Sequence, residues 1–176
     1  MSLATYRSSK VGAETFRWFF EVPTDTATWG TKSYYMGLIL SDSNAEDTGE
    51  STDDIADVTS KVAGKTITHD DPMITSSHPY LVGEPVSEFE KYIAEHMSSD
   101  SDRTVNVLKV DLNDGDATKG YAAVKRVALP AVTQAPGGDA QGNATMECEY
   151  HFISEPVFGT ATFDAETGVA TFTPKA

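Results

Sequence analysis

A single cysteine, Cys148, stands in a chain of 176 residues. That excludes an intramolecular disulfide framework and fits synthesis in a reducing compartment. Basic residues are scarce: 13 Lys and Arg face 27 Asp and Glu, a formal net charge of −14. So few cations argue against a nucleic-acid clamp, which must neutralise phosphates, and the acidity disfavours docking on an anionic membrane. No run approaches the ~18 apolar residues of a membrane span. The polar start, Met1 to Lys10, is read as carrying no secretory leader. The G-x-S-x-G elbow, the P-loop and the dinucleotide fingerprint are all missing, so the common nucleophile and phosphate sites lack support. There is no internal repeat.

What is present is enough for one domain, 1–176, at a prior of roughly 150 residues per domain. A core of that size needs neither disulfides nor metal. Turn signals come often, and between them lie short segments of period-two alternation, the mark of strands. Thr15 to Val22 puts Phe16, Trp18, Phe20 and Val22 on one face and Arg17, Phe19 and Glu21 on the other. Ser33 to Leu40 is apolar on both faces, as in a central strand or one that meets a partner. Arg103 to Leu112 precedes the turn Asn113-Asp114-Gly115, and Tyr121 to Leu129 is expected to end at Pro130. Thr145 to Ile153 places Met146, Cys148, Tyr150 and Phe152 on its apolar side. Gly159 to Phe163 and Val169 to Thr173 flank Asp164 to Gly168 as a C-terminal hairpin.

One segment reads as a helix, Pro85 to about Ser98. Phe89, Ile93 and Met97 recur at i, i+4, i+8, with Val86 and Tyr92 widening the stripe. Pro85 suits a first turn, and Ser87 with Glu90 has capping-box spacing. The expected architecture is therefore mainly β: an antiparallel sandwich or barrel with one flanking helix at about 85–98. Ser41 to Thr59 is acidic and poor in large apolar residues, so it is expected to be a mobile loop unless a partner holds it. Lys65 to Tyr80 regains strand character, with Pro72 and Pro79 as breaks. Together these make a loop excursion over about 41–80, the kind that is usually functional or disordered. Residues 134–142 form a second flexible link.

No constellation of side chains demands a chemistry. Asp111 to Asp116 superficially resembles a calcium loop, but Gly115 falls at the fifth position and Ala122 at the twelfth, so the EF-hand template fails. His69-Asp70-Asp71 with His78 lacks the spacing of a tetrahedral metal site. His96 sits near the helix C-terminus, where a cation is mildly favoured. Cys148 reads as a small core residue rather than a nucleophile, and no carboxylate pair is singled out for glycoside hydrolysis. The expectation is no catalytic residue, no metal, no cofactor and no enzyme.

The order of features says more than any motif. An aromatic-rich early strand pair leads to a long polar loop, a strand-like return and one amphipathic helix. A run of strands then closes on the hairpin Glu155-Pro-Val-Phe-Gly159-Thr-Ala-Thr-Phe163-Asp-Ala-Glu-Thr-Gly168-Val-Ala-Thr-Phe172-Thr. This order resembles the major tail (tail tube) proteins of long-tailed bacteriophages. The resemblance implies a β-sandwich with a helix that assembles into rings, stacked into a hollow tube through which DNA leaves the capsid. It implies contacts with itself and with other tail proteins (tape measure, tail terminator, distal tail), synthesis in the host bacterial cytoplasm and residence in the virion. It also implies that the excursion reaches a neighbouring subunit or ring. Thr66, Ile67, Thr68, His69, Met73 and Ile74, from its strand-like part, are the expected interface residues.

Elementary physics agrees with that picture. A lumen that lets DNA slide should repel phosphate, and a net charge of −14 does so. Stacked rings need heterologous contacts that do not close along the axis. The competing reading is a monomeric carbohydrate-binding or adhesin-like β-sandwich module, with Trp29, Tyr34 and Tyr80 as a sugar platform.

Overall fold

The computed structural model describes residues 15–24, 31–37, 46–55, 64–69, 71–96, 103–138, 142, 144–164 and 166–175, with the backbone path alone for 51–55 and 64–69. Its elements in chain order are β1 (Phe16–Pro23), β2 (Lys32–Met36), β3 (Glu46–Asp47), β4 (Ser51–Ile55), β5 (Gly64–His69) and β6 (Met73–Pro79). The helix α1 (Pro85–His96) follows, then β7 (Val105–Asp116), β8 (Gly120–Gly137), β9 (Thr145–Phe152), β10 (Val157–Phe163) and β11 (Val169–Pro174). The fold is mainly β with one helix, as the alternation and the single 3.6-period stripe require.

Nine strands form one antiparallel sheet in the order β10-β11-β2-β1-β7-β8-β9-β6-β3, and β10 also pairs with β8. That extra pairing closes six strands, β10-β11-β2-β1-β7-β8, into a barrel. The long β8 makes closure possible because its two halves have different neighbours. Tyr121 to Lys125 lie between β7 and β10, whereas Ala128 to Gly137 pair with β9. The strand thus runs past Pro130, where the sequence pattern stops it. By Pro130 the chain has left β7, whose last partner is Ala128, and pairs only with β9. An edge position tolerates a missing N–H.

Alternation along β1 then builds two cores. Phe19 points into the barrel with Leu108, Val110, Ala123, Ala161 and Ala170, and Tyr34, Leu112, Tyr121, Phe163 and Phe172 pack on them. A six-stranded barrel is narrow, so alanines stand opposite rings: Phe163 lies 5.5 Å from Phe19 and 5.7 Å from Tyr121. Trp18, Phe20 and Val22 point outward, joining Val107, Tyr150 and Phe152 beneath Val86, Phe89 and Ile93 of α1. The two-faced apolarity of the second strand has the same cause, since Tyr34 packs on the barrel core and Tyr35 on the helix-side core.

The helix starts at Pro85, but its cap is Glu84. That carboxylate accepts the backbone N–H groups of Val86 at 3.1 Å and Ser87 at 2.6 Å. The expected capping-box pair, Ser87 and Glu90, is instead fully buried. Met97 and the end of the expected helix lie outside the described residues. The expected turn at Asn113 to Gly115 falls at the end of β7, where a register shift between Asp111 and Gly115 carries the strand on to Asp116. In the C-terminal hairpin the Asp164 carboxylate accepts the N–H groups of Glu166 and Thr167, which holds its pKa below the usual range.

The excursion is more regular than composition implies. β3 and β4 fall inside the segment expected to be a loop, and β4 pairs with β5 in a separate two-stranded sheet. Backbone pairing to Gly64–His69 satisfies hydrogen bonds that the acidic side chains say nothing about. Among the described residues, no element of the nine-stranded sheet packs extensively on this hairpin. At its base, Gly49 adopts φ +65° and its backbone lies directly against that of Asp71, which pinches the two strands into a neck.

Candidate assembly surface

Helix α1 covers only part of the outward face of β1, β7 and β8. Beyond it the strand registers line up a row across four strands: Trp18 opposite Lys109, Lys109 opposite Val124, and Val124 opposite Phe158. One step along, Phe16 faces Asp111 and Asp111 faces Ala122. The result is a groove of about 490 Å³ with Trp18, Val107 and Phe152 along its helix side and Phe16, Phe158 and Lys175 also lining it.

Its cations lie flat on its rings. The Lys109 ammonium is 5.2 Å from the Trp18 centroid and 5.4 Å from that of Phe16, and the Arg126 guanidinium is 5.0 Å from that of Phe152. Such placement is favourable where the ring face is partly desolvated. One carboxylate serves both cations: Glu46 of β3 accepts from Lys109 at 3.0 Å and from Arg126. The indole N–H of the 4% exposed Trp18 and the Nε–H of Arg126 have no acceptor among the described residues. Buried donors in a native fold normally find one. Phe158, which lines the groove, is 61% exposed.

A second polar cluster fixes the helix. Glu90 reaches down from α1, taking the Tyr150 hydroxyl at 2.7 Å and His78 Nε2 at 2.8 Å, while His78 Nδ1 donates to the Pro79 carbonyl at 2.9 Å. Burial alone would lower the His78 pKa, but the hydrogen bond and charge of Glu90, helped by Pro79 and Glu84, raise it. Burial, with the Glu90 charge adding, lifts Tyr150 and Cys148 well above their ordinary values. The Cys148 thiol is packed as a core group. The sequence marks Glu90 only by its capping-box spacing from Ser87 and its place three residues before Ile93; it does not tell that Glu90 is buried while Glu88 is half-buried and Glu95 exposed.

The expected interface residues are divided by the structure. Thr66, Ile67, Thr68 and His69 lie in β5, on the hairpin. Met73 and Ile74 begin β6, where Ile74 is fully buried in the helix-side core and Met73 is half-buried. Of the supposed sugar platform, the two described residues serve other contacts. Tyr34 packs on the barrel core, Tyr80 donates to Glu88 beside the helix, and Trp29 lies outside the described residues. His151 is 3.2 Å from Asp71 and 3.4 Å from Glu149, yet among the described residues no cluster of three or more His, Cys, Asp or Glu is placed to hold a metal. No described helix is long and apolar enough to cross a membrane. The groove itself was missed from sequence, because Lys109, Arg126 and Glu46 are brought together only by tertiary pairing.

No protein-family model matches the sequence, and no curated protein matches it. Three solved structures are similar in fold. A chain of the sheath–tube complex of an extracellular contractile injection system, in the extended state, is 14% identical, with TM-score 0.48 over 82% of this chain and 88% of that one. A chain of the sheath/tube terminator of such a system is 12% identical, TM-score 0.48, over 86% and 98%. The tube-terminating cap of the anti-feeding prophage is 14% identical, TM-score 0.48, over 89% and 97%.

Proposed function

We propose that this chain is a non-enzymatic structural subunit that associates with copies of itself into stacked rings, forming the tube of a phage tail. The observation that carries the reading is the β4–β5 hairpin. A lone two-stranded hairpin is marginal in water, and among the described residues this one gains no extensive packing from the main sheet of its own chain. Docking on another copy supplies the missing burial, and the order of features seen in the sequence points to the same assembly. A heterologous contact of this kind propagates rather than closing on itself, as a growing tube needs. The other tail components (tape measure, tail terminator and distal tail protein) cap and fill the structure. DNA passes through without specific binding, and the finished particle is a virion made in a bacterial cytoplasm. The test is negative-stain microscopy across a concentration series, with light scattering on the same samples. Rings or hollow tubes of uniform diameter are the expected result, and a strict monomer at every concentration, even with a preformed tube end added as seed, is the opposite one.

A further inference from the structure

Three features of the groove are left over by the fold. Two buried donors, on Trp18 and Arg126, lack acceptors among the described residues. Two cations, Lys109 and Arg126, share the single carboxylate of Glu46. The described lining carries three cations, Lys109, Arg126 and Lys175, against two carboxylates, Glu46 and Asp111, in a chain whose net charge is −14. The charge and the rings of this lining suit an occupant that brings carboxylates on a strip of chain narrow enough to lie over Trp18, Phe152 and Phe158.

The chain itself contains such a strip. β4 reads Ser-Thr-Asp-Asp-Ile, with Glu50 before it and Asp57 after it, and it belongs to the hairpin on which, among the described residues, no element of the main sheet packs extensively. The base of that hairpin is anchored at this groove through Glu46 of β3, and the chain turns sharply at Gly49. The geometry points to the groove of one copy as the receptor for the acidic β4 segment of a second copy. This rests on the self-assembly reading above and deepens it: each subunit carries a donor arm and a receptor groove whose rim also holds the root of its own arm. Such a head-to-tail pairing is heterologous and propagates. Complementary charge steers the encounter.

The probe is a synthetic peptide of residues 46–58, titrated into full-length protein carrying Trp29→Phe, so that Trp18 is the sole tryptophan. The expected result is a saturable change in Trp18 emission that weakens as salt rises. A peptide with Asp53→Lys and Asp54→Lys should bind about tenfold more weakly or worse, because opposed charges become like charges. Lys109→Glu in the protein should abolish the signal for the native peptide and restore it for the lysine peptide. The swapped pair guards against a variant that has merely lost its fold. No saturable change, or one indifferent to both charge reversals, overturns the proposal. Because peptide binding is read on dilute protein, it is independent of tube formation. Tubes without peptide binding would remove the groove and leave the assembly reading standing; binding without tubes would do the reverse.

Discussion

Glu90 shows how much one side chain can commit a helix. It is fully buried, and His78 and Tyr150 meet its two oxygens, so neither polar atom is left without a partner in the core. Removing one member of a buried pair strands the other, at a cost of about 3 kcal/mol or more. Glu90→Gln should therefore lose about that much in urea unfolding, while Tyr150→Phe, which deletes one hydrogen bond to a charged group, should lose about 2 kcal/mol. The pH dependence has a definite sign. The folded pKa of His78 is raised, and its unfolded value is about 6.5. The stabilisation from this group is thus fully present below pH of about 6.5 and is lost as pH rises through the folded pKa. Wild-type stability should fall on the alkaline side of that point, and Glu90→Gln should flatten the fall. A wild-type profile level across pH 6 to 9 would mean that the pair is not coupled as the distances imply.

Among the elements, those whose pattern has one cause were legible in the sequence. The apolar faces of β1 and β9, the C-terminal hairpin and the start of α1 follow from period and turn chemistry alone. Phe19 was placed on its proper face, but that face is no outside: barrel closure buries it completely. Pairing of β10 with the first half of β8 is what closes the barrel, and no local pattern encodes a strand that changes partners midway. β4 escaped notice for the same reason, since its order comes from its neighbour β5 and not from its composition. The neck of that hairpin yields a separate prediction. A methyl group at Gly49 would lie on the Asp71 backbone, at a φ of +65° that L-residues rarely adopt. Gly49→Ala should splay the hairpin while sparing the barrel and α1, whose cores it does not touch. Thermal unfolding should change little, whereas limited proteolysis should cut within 46–70 faster and assembly by light scattering should fail. Normal assembly by a Gly49→Ala protein with an accelerated cleavage rate would separate the hairpin from the association mechanism.

For the whole molecule, the decisive fact is that the barrel is full. Phe19, Leu108, Val110 and Ala161 are buried to within 1% exposure inside it, so among the described residues the barrel offers no channel. Any conduit must be enclosed between copies, and the surface that lines it is drawn from the exterior of an acidic chain with 27 carboxylates to 13 cations. Duplex DNA binds by releasing counterions to clustered Lys and Arg, and each phosphate contact adds about one unit to the salt slope. The exterior gathers cations in the groove, but there Lys109 and Arg126 are bridged by Glu46 and folded onto rings. The groove's excess of three cations over two carboxylates is too small to hold a duplex, while the surrounding field repels it. Neither the free subunit nor its assembled form should retain duplex DNA in a gel-shift or filter-binding assay at moderate salt. Lys109→Glu should leave that result unchanged, since the groove is addressed to carboxylates rather than phosphates. A salt-sensitive shift by the assembled form alone would show that assembly gathers cations into the lumen. The conduit would then grip DNA, and the acidity of the chain would have to serve its outer surface instead.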